Sequence, residues 1–272
     1  MSANVIGLRD AVYGAAVGDA LGVPYEFMEH GTFECAGMDS GGAHGQLAGT
    51  FSDDTSMMLA TCDSIRAKRG RIDCEDMRKR FCDWAFEGKY TVDGVAFDIG
   101  NTTSTALHEG RGCSGERSNG NGSLMRIAPL AFTDATDDEV RAVSAITHAH
   151  EISTECCVAY VQVMRAMIAG LPVPEATAGV KVGDYEFDPG VSVDELRSGG
   201  YVLDTLNAAL WCLVNTASYA ECVLTAVNLG RDTDTTACVA GALAGVVYGL
   251  DSIPAEWVEA LRGKDIIEAC LF

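Results

Sequence analysis

Basic residues are scarce in this chain: nineteen Lys and Arg stand against thirty-nine Asp and Glu, a formal net charge of −20. That argues against non-specific nucleic-acid binding, which needs cationic side chains to neutralise phosphates, and against adhesion to an anionic membrane. An anionic small ligand is still admissible, because bound metal or backbone N–H groups can supply the positive charge. Proline is rare too, at six residues, and no Ser/Gly/Pro-rich linker, low-complexity block or clear internal repeat interrupts the 272 residues, so a single domain over 1–272 is expected. No apolar run reaches the roughly eighteen residues of a membrane span. The opening MSANVIGLRDAVYGAA lacks a basic segment followed by a continuous apolar one, so no signal peptide is read. The eleven cysteines include no CxxC pair, and Cys62, Cys157, Cys212 and Cys238 fall in helical apolar patterns. Reduced, buried thiols in a cytoplasmic protein are expected.

Strand signals are equally thin, with brief alternation only around Val180–Phe187. Helical periodicity dominates. Val5, Leu8, Val12, Ala15 and Ala16 recur over 4–20, and Met57, Met58, Thr61, Cys62 and Ile65 over 53–68. Further helices are expected over 73–86, 102–108, from Asp137 to Ile168 with a break near His148, and over 202–215, 218–228, 233–249 and 255–262. The fold class is all-α, a compact orthogonal multi-helix bundle. Two segments, YGAAVGDALG (Tyr13–Gly22) and TTACVAGALAGVVYG (Thr235–Gly249), are dense in small residues. Glycine costs about 1 kcal/mol in a helix interior relative to alanine, so this density implies close helix packing.

GTFSDDTSMMLA (Gly49–Ala60) sets Ser52, Asp53 and Asp54 immediately before an apolar helical run, and NLGRDTDTTACV (Asn228–Val239) does the same with Asp232, Asp234 and Thr235. One such cluster is ordinarily an N-cap, since Ser, Thr and Asp accept from free N–H groups and acids suit the positive end of a helix. Two clusters supply more oxygen than two caps need. Four carboxylates and two hydroxyls suit Mg²⁺ or Mn²⁺, and they are too many for one small dication but fitting for two. Glu26, just after Pro24, is a third acidic candidate, with an exposed loop acid as the ordinary alternative. Asp19, inside an apolar helix, is expected to bond a neighbouring turn.

Two weaker signals lie between the clusters. SNGNGSLMRIAPLAF (Ser118–Phe132) has the composition of an anion cradle: Gly120 and Gly122 permit positive φ, and the following residues are expected to open a helix whose N-terminus favours anions, with Arg126 as a helper. Asn-Gly is first of all a turn signal. FDIGNTTSTAL (Phe97–Leu107) is similar, with Gly100, Asn101 or Thr102 as cap. THAHEIS (Thr147–Ser153) holds His148 and His150, whose spacing makes a poor zinc pair on a helix. His148 is a candidate ligand contact.

Taken together, VGDALGVPYEF, GTFSDDTSM, DIGNTTSTAL, GNGSLMRIAPLAF, ITHAHEIS, GYVLDTLNAALWC and NLGRDTDTTACVAGALAGVVYG resemble the motifs of the ADP-ribosylglycohydrolases, in that family's order from Ala11 to Gly249. The likeness is greatest to the bacterial branch of ADP-ribosyl-dinitrogenase reductase hydrolases. The resemblance implies an all-α fold with a binuclear Mg²⁺ or Mn²⁺ centre in a cleft, and cleavage between the distal ribose of ADP-ribose and an acceptor such as an arginine or serine side chain. By motif, the implied metal ligands are Ser52, Asp53, Asp54, Asp232, Asp234 and Thr235. Ser52 stands where many members carry Thr, and both offer a hydroxyl. Glu26 matches an acid near the metals that can gate the substrate. Gly120, Asn121, Gly122 and Ser123 match the loop that meets ADP-ribose, His148 matches a histidine near the ligand, and Asn101 belongs to the motif before it.

The implied reaction is displacement at an anomeric carbon through an oxocarbenium-like state, with metals holding ribose hydroxyls and a carboxylate serving as general base. Asp53, Asp54 and Glu26 are the candidates, and no Ser/His/Asp or Cys/His nucleophile set is evident. Substrates are expected to be an ADP-ribosylated protein or a small ADP-ribose derivative such as O-acetyl-ADP-ribose. A module that binds ADP-ribose without hydrolysing it is the alternative from another class, and loss of the metal acids would mark it.

Overall fold

Twelve α-helices carry nearly all the regular structure of residues 3–272, which a computed structural model describes, with side chains from residue 7 onward. They are α1 (Ala3–Gly22), α2 (Asp53–Ala67), α3 (Cys74–Glu87), α4 (Asn101–Glu109), α5 (Asp137–Ser144), α6 (Glu151–Ile168), α7 (Val173–Thr177), α8 (Val202–Val214), α9 (Tyr219–Asn228), α10 (Thr233–Tyr248), α11 (Ala255–Ala260) and α12 (Lys264–Cys270). The alternation near Val180 folds as a two-stranded antiparallel hairpin, β1 (Lys181–Val182) and β2 (Tyr185–Glu186). The all-α expectation holds, and the break near His148 falls between α5 and α6. Val5 lies outside the residues whose side chains are described. Periodicity did not reveal α7 and α12, which have five and seven residues and so too few turns to show a stripe.

The centre of the molecule is the pair α1 and α10, and glycine decides how closely they approach. A Cβ on Gly14 would lie 2.2 Å from the Gly241 carbonyl oxygen, one on Gly18 2.1 Å from that of Ala237, and one on Gly22 2.3 Å from Asp234 Cα. Spaced four apart, these glycines line one face of α1. The helix backbones therefore touch directly, and the small-residue density is a packing requirement. Thr233 Oγ1 donates to the Gly22 carbonyl at 2.8 Å, tying the start of α10 to the end of α1. Tyr219 Oη reaches the Gly14 carbonyl at 2.6 Å and fixes α9 against the same pair. Apolar side chains of α2, α6, α8 and α9 surround them in the core. All eleven cysteines are free thiols, eight of them buried, and no described helix is long and apolar enough to cross a membrane.

Candidate active site

Helix α2 begins in the core with its capping requirement met from outside. The Asp19 carboxylate on α1 accepts from Ser52 N at 2.9 Å, Thr55 N at 3.0 Å and Thr55 Oγ1 at 2.5 Å. Ser52 adds a weak cap to Asp54 N at 3.4 Å. With the free N–H groups served in this way, the carboxylates of Asp53 and Asp54 are not spent on the helix end. Asp54 Oδ2 accepts from Ser52 Oγ at 2.9 Å, while Asp54 Oδ1 is buried with no hydrogen-bond partner.

At the start of α10, Asp232 stands at the N-cap position, yet its side chain caps nothing. Its Oδ2 accepts instead from Asn121 Nδ2 at 2.8 Å, across 111 residues of chain. Asp234 Oδ1 accepts from Thr235 N at 2.9 Å, and its Oδ2 is buried and unpartnered. The capping alternative therefore fails for Asp232, the residue placed best to satisfy it.

The two helix starts meet. Thr235 Oγ1 lies 3.4 Å from Asp54 Oδ2. Oxygen atoms of Asp19, Asp54 and Asp234 lie within 4.8 Å of one another, as do those of Glu26, Asp232 and Asp234. Asp234 belongs to both groups. Burial first, then neighbouring carboxylates, holds Asp53, Asp54 and Asp234 well above the ordinary carboxylate range. Burial likewise raises Asp232, and takes Asp19 up to about 6. Burial, then Asp98 and Asp232, pushes Glu26 up to about 9. Carboxylates crowded so tightly, with two buried oxygens left unpaired, are costly by themselves. A hard, oxygen-seeking divalent cation fits them, because it supplies both the missing partner and the missing charge.

Above this centre opens a cleft of about 500 Å³. Of the acids, Glu26, Asp53, Asp98 and Asp232 line it, with Thr235 beside them. Asp54 and Asp234 are fully buried beneath, which suits holding a cation but leaves Asp54 without access to a substrate. Asn101, Gly120, Asn121, Gly122 and His148 also line the cleft. Ser123 does not join them: it is buried, and its Oγ meets Ser144 Oγ at 2.9 Å. The anion-cradle reading also changes. Gly120 and Gly122 do not have positive φ, and a turn follows them, with a short 3₁₀ helix beginning only at Ala128. Their need for glycine is steric, since a Cβ on Gly122 would sit 2.9 Å from His148 Cε1 and one on Gly120 3.3 Å from His148 Nε2. Asn121 N donates to the Gly200 carbonyl at 3.1 Å, which pins the loop to the segment before α8. Arg126 is no helper: it is fully buried, stacked 4.4 Å over the Phe81 ring. His150 caps α6 by accepting from Ile152 N at 3.3 Å, away from any pair with His148.

Some residues of the site carry no sequence signal of their own. Asp98 stands in the Phe97–Leu107 motif as an unremarkable loop acid, yet it lines the cleft in the left-handed region with φ 57°. Phe27 shares that strain at φ 68° and is 67% exposed at the mouth. Strained non-glycine backbone of this kind clusters at functional sites. His44 contacts Glu26 closely and lies 3.8 Å from Asp98, from a loop with no pattern of its own. Arg117 is the one Lys or Arg among the described residues lining the cleft.

A family model described as ADP-ribosylglycohydrolase matches residues 7–271. An ADP-ribosylarginine hydrolase Tri1 of Pseudomonas putida (strain GB-1) is 34% identical over 283 residues, covering 96% of this chain and 75% of that protein. The ADP-ribosyl-[dinitrogen reductase] glycohydrolase of Rhodospirillum rubrum is 32% identical over 275 residues, covering 93% and 90%. Among solved structures, one titled ADP-ribosylglycohydrolase-related protein complex superposes with a TM-score of 0.83 at 31% identity, over 98% of this chain and 96% of that one.

Proposed function

The chain belongs to the ADP-ribosylglycohydrolase family, and on that premise we propose that it removes ADP-ribose from arginine side chains of modified proteins with the help of two divalent cations, Mg²⁺ or Mn²⁺. The observation that supports this most is the pair of buried, unpartnered oxygens, Asp54 Oδ1 and Asp234 Oδ2, at the meeting point of two acidic helix starts. Ser52, Asp53, Asp54, Asp232, Asp234 and Thr235 would hold the cations. When bound, they supply Lewis-acid charge to the ribose hydroxyls and the attacking water.

The chain's own groups do the rest. Glu26, Asp53, Asp98 and Asp232 are the carboxylates that reach the cleft; with Asp232 held by Asn121, the general base and the proton donor to the leaving nitrogen are drawn from the other three. Asn121 holds Asp232 while its backbone is fixed to Gly200, which couples the ligand loop to the metal centre. Arg117 and the backbone of the Gly120–Gly122 turn are the groups for the diphosphate, in a chain whose net charge of −20 leaves few others. Arginine is the first acceptor to test because the Pseudomonas relative is an ADP-ribosylarginine hydrolase.

The deciding experiment is a hydrolysis panel of arginine-, serine- and O-acetyl-linked ADP-ribose, run with EDTA, Mg²⁺ and Mn²⁺. Cation-dependent release of ADP-ribose from the arginine conjugate is expected. Release from the O-acetyl compound alone would move the substrate to small derivatives, and ADP-ribose binding with no release from any conjugate would make the protein a binding module.

A further inference from the structure

His148 is buried, 2% exposed, and the two ends of its ring have different surroundings. Nδ1 lies 2.9 Å from Thr147 Oγ1. Nε2 has no hydrogen-bond partner among the described residues and lies over Gly120 and Gly122 on the cleft wall. Behind Thr147, the Arg126 guanidinium donates to the same hydroxyl oxygen from Nη2 at 2.9 Å. That arrangement dictates where the protons sit. Guanidinium has donors and no acceptor, so Thr147 Oγ1 accepts from Arg126 with one lone pair. A buried hydroxyl left with one hydrogen needs an acceptor for it. Nδ1 is the acceptor within reach, so Nδ1 is unprotonated and the ring hydrogen is on Nε2.

We propose that Arg126 and Thr147 are positioning residues that lock His148 as the Nε2–H tautomer and aim that N–H into the cleft as a donor to an oxygen of the bound ADP-ribose. No bond is made or broken; the ring serves as a neutral donor. Burial, then the charge of Arg126, holds His148 down at about 3, so the ring stays neutral over the physiological range. The glycines at Gly120 and Gly122 let the ring lie against the loop, since a side chain at Gly122 would collide with Cε1 at 2.9 Å. The arginine that looks available for phosphate in the sequence thus acts from beneath, through a hydroxyl and an imidazole.

The ligand named here rests on the proposed function, whereas the tautomer does not, and one NMR experiment separates them. Protein labelled with ¹⁵N at histidine is recorded with Mg²⁺, a diamagnetic ion, and His148→Gln assigns the signals. Wild type should show a pyridine-type Nδ1 and a pyrrole-type Nε2, unchanged between about pH 5 and about pH 8. Thr147→Val, close in shape but without the hydroxyl, should mix the tautomers, and Thr147→Ser should restore the wild-type pattern. Addition of ADP-ribose should shift the Nε2 signal, and Thr147→Val should weaken its binding by about three- to tenfold, the loss of one neutral hydrogen bond. A pyrrole-type Nδ1 in wild type, or a Thr147→Val spectrum identical to wild type, overturns the lock. An Nε2 signal indifferent to ADP-ribose overturns the donor role, while the hydrolysis panel judges the activity independently.

Discussion

Replacing Asp234 by Asn tests the cation reading through a change of sign. In the folded protein Asp234 Oδ1 accepts from Thr235 N at 2.9 Å, and Oδ2 is buried among carboxylates with no donor. Asparagine keeps the first bond through its oxygen and turns an amide N–H₂ toward the acids. Without cations, Asp234→Asn should therefore be the more stable protein. Leaving a buried acceptor unsatisfied costs about 1–3 kcal/mol, and the amide recovers that. In a chain of 272 residues the gain is a rise in Tm of roughly 2–5 °C. The pH dependence has a fixed sign as well. Burial, then Glu26 and Asp54, holds Asp234 well above the ordinary carboxylate range. The folded state thus binds more protons than the unfolded chain, and wild type loses stability as pH rises above the unfolded carboxylate value of about 4. The advantage of Asp234→Asn in EDTA should be larger at about pH 8 than at about pH 6. Adding Mg²⁺ inverts the order. At about 100 Kd the wild type should gain about 2.7 kcal/mol, and the variant, with a neutral amide shared by both acid groups, should gain little. Scanning calorimetry of both proteins in EDTA and in Mg²⁺ reads all four stabilities. An Asp234→Asn protein that is less stable in EDTA and gains as much as wild type on Mg²⁺ would make Asp234 a structural residue and refute the assignment.

Asp232→Asn should lower hydrolysis on the order of 10²-fold or more with little change in Tm, because its side chain caps no backbone group; full activity in the folded variant would refute it. Gly122→Val places a Cβ 2.9 Å from His148 Cε1 and should weaken ADP-ribose binding in calorimetric titration while the Mg²⁺-induced rise in Tm is kept; unchanged affinity would reduce the loop to a turn. Arg117→Gln should weaken ADP-ribose binding several-fold, roughly 1 kcal/mol for an exposed charged contact, and the difference should shrink at high salt. Gly18→Val drives a Cβ to 2.1 Å from the Ala237 carbonyl, backbone against backbone, and should cost more than about 3 kcal/mol, seen as loss of soluble protein or a collapse in Tm.

Much of this molecule was legible before its fold was known, and the reason differs from part to part. Long helices such as α2, α6 and α10 announce themselves because three or more turns repeat the apolar stripe. The acid clusters were legible because they exceed what capping demands, although that excess shows no meeting in space; the contact of Thr235 with Asp54 comes from the packing of α1, α2 and α10. Asp98 and His44 were silent because each is an isolated polar residue in a loop, and only backbone geometry brings them to Glu26. Arg126 misled for a related reason. Composition marks an arginine beside a Gly/Asn loop as solvent-facing, whereas its ring contact with Phe81 and its bond to Thr147 turn it into the core. The glycines of that loop were found for the wrong cause, steric space for an imidazole in place of positive φ.

The backbone contact between α1 and α10 also sets a timetable for synthesis. Thr233 and Gly22, joined by one hydrogen bond at the heart of that contact, are 211 residues apart. Closing so long a loop is slow and entropically uphill until the last partner arrives. On the ribosome, Asp19 and the Ser52–Asp54 group emerge early, but Asp232 and Asp234 follow only when most of the chain has been made. Until α10 leaves the exit tunnel, the growing polypeptide holds one of the two acidic helix starts and no complete cleft. A nascent chain stalled before residue 233 should therefore neither take up Mg²⁺ as the folded protein does nor release ADP-ribose from a substrate, so the activity waits on the synthesis of α10.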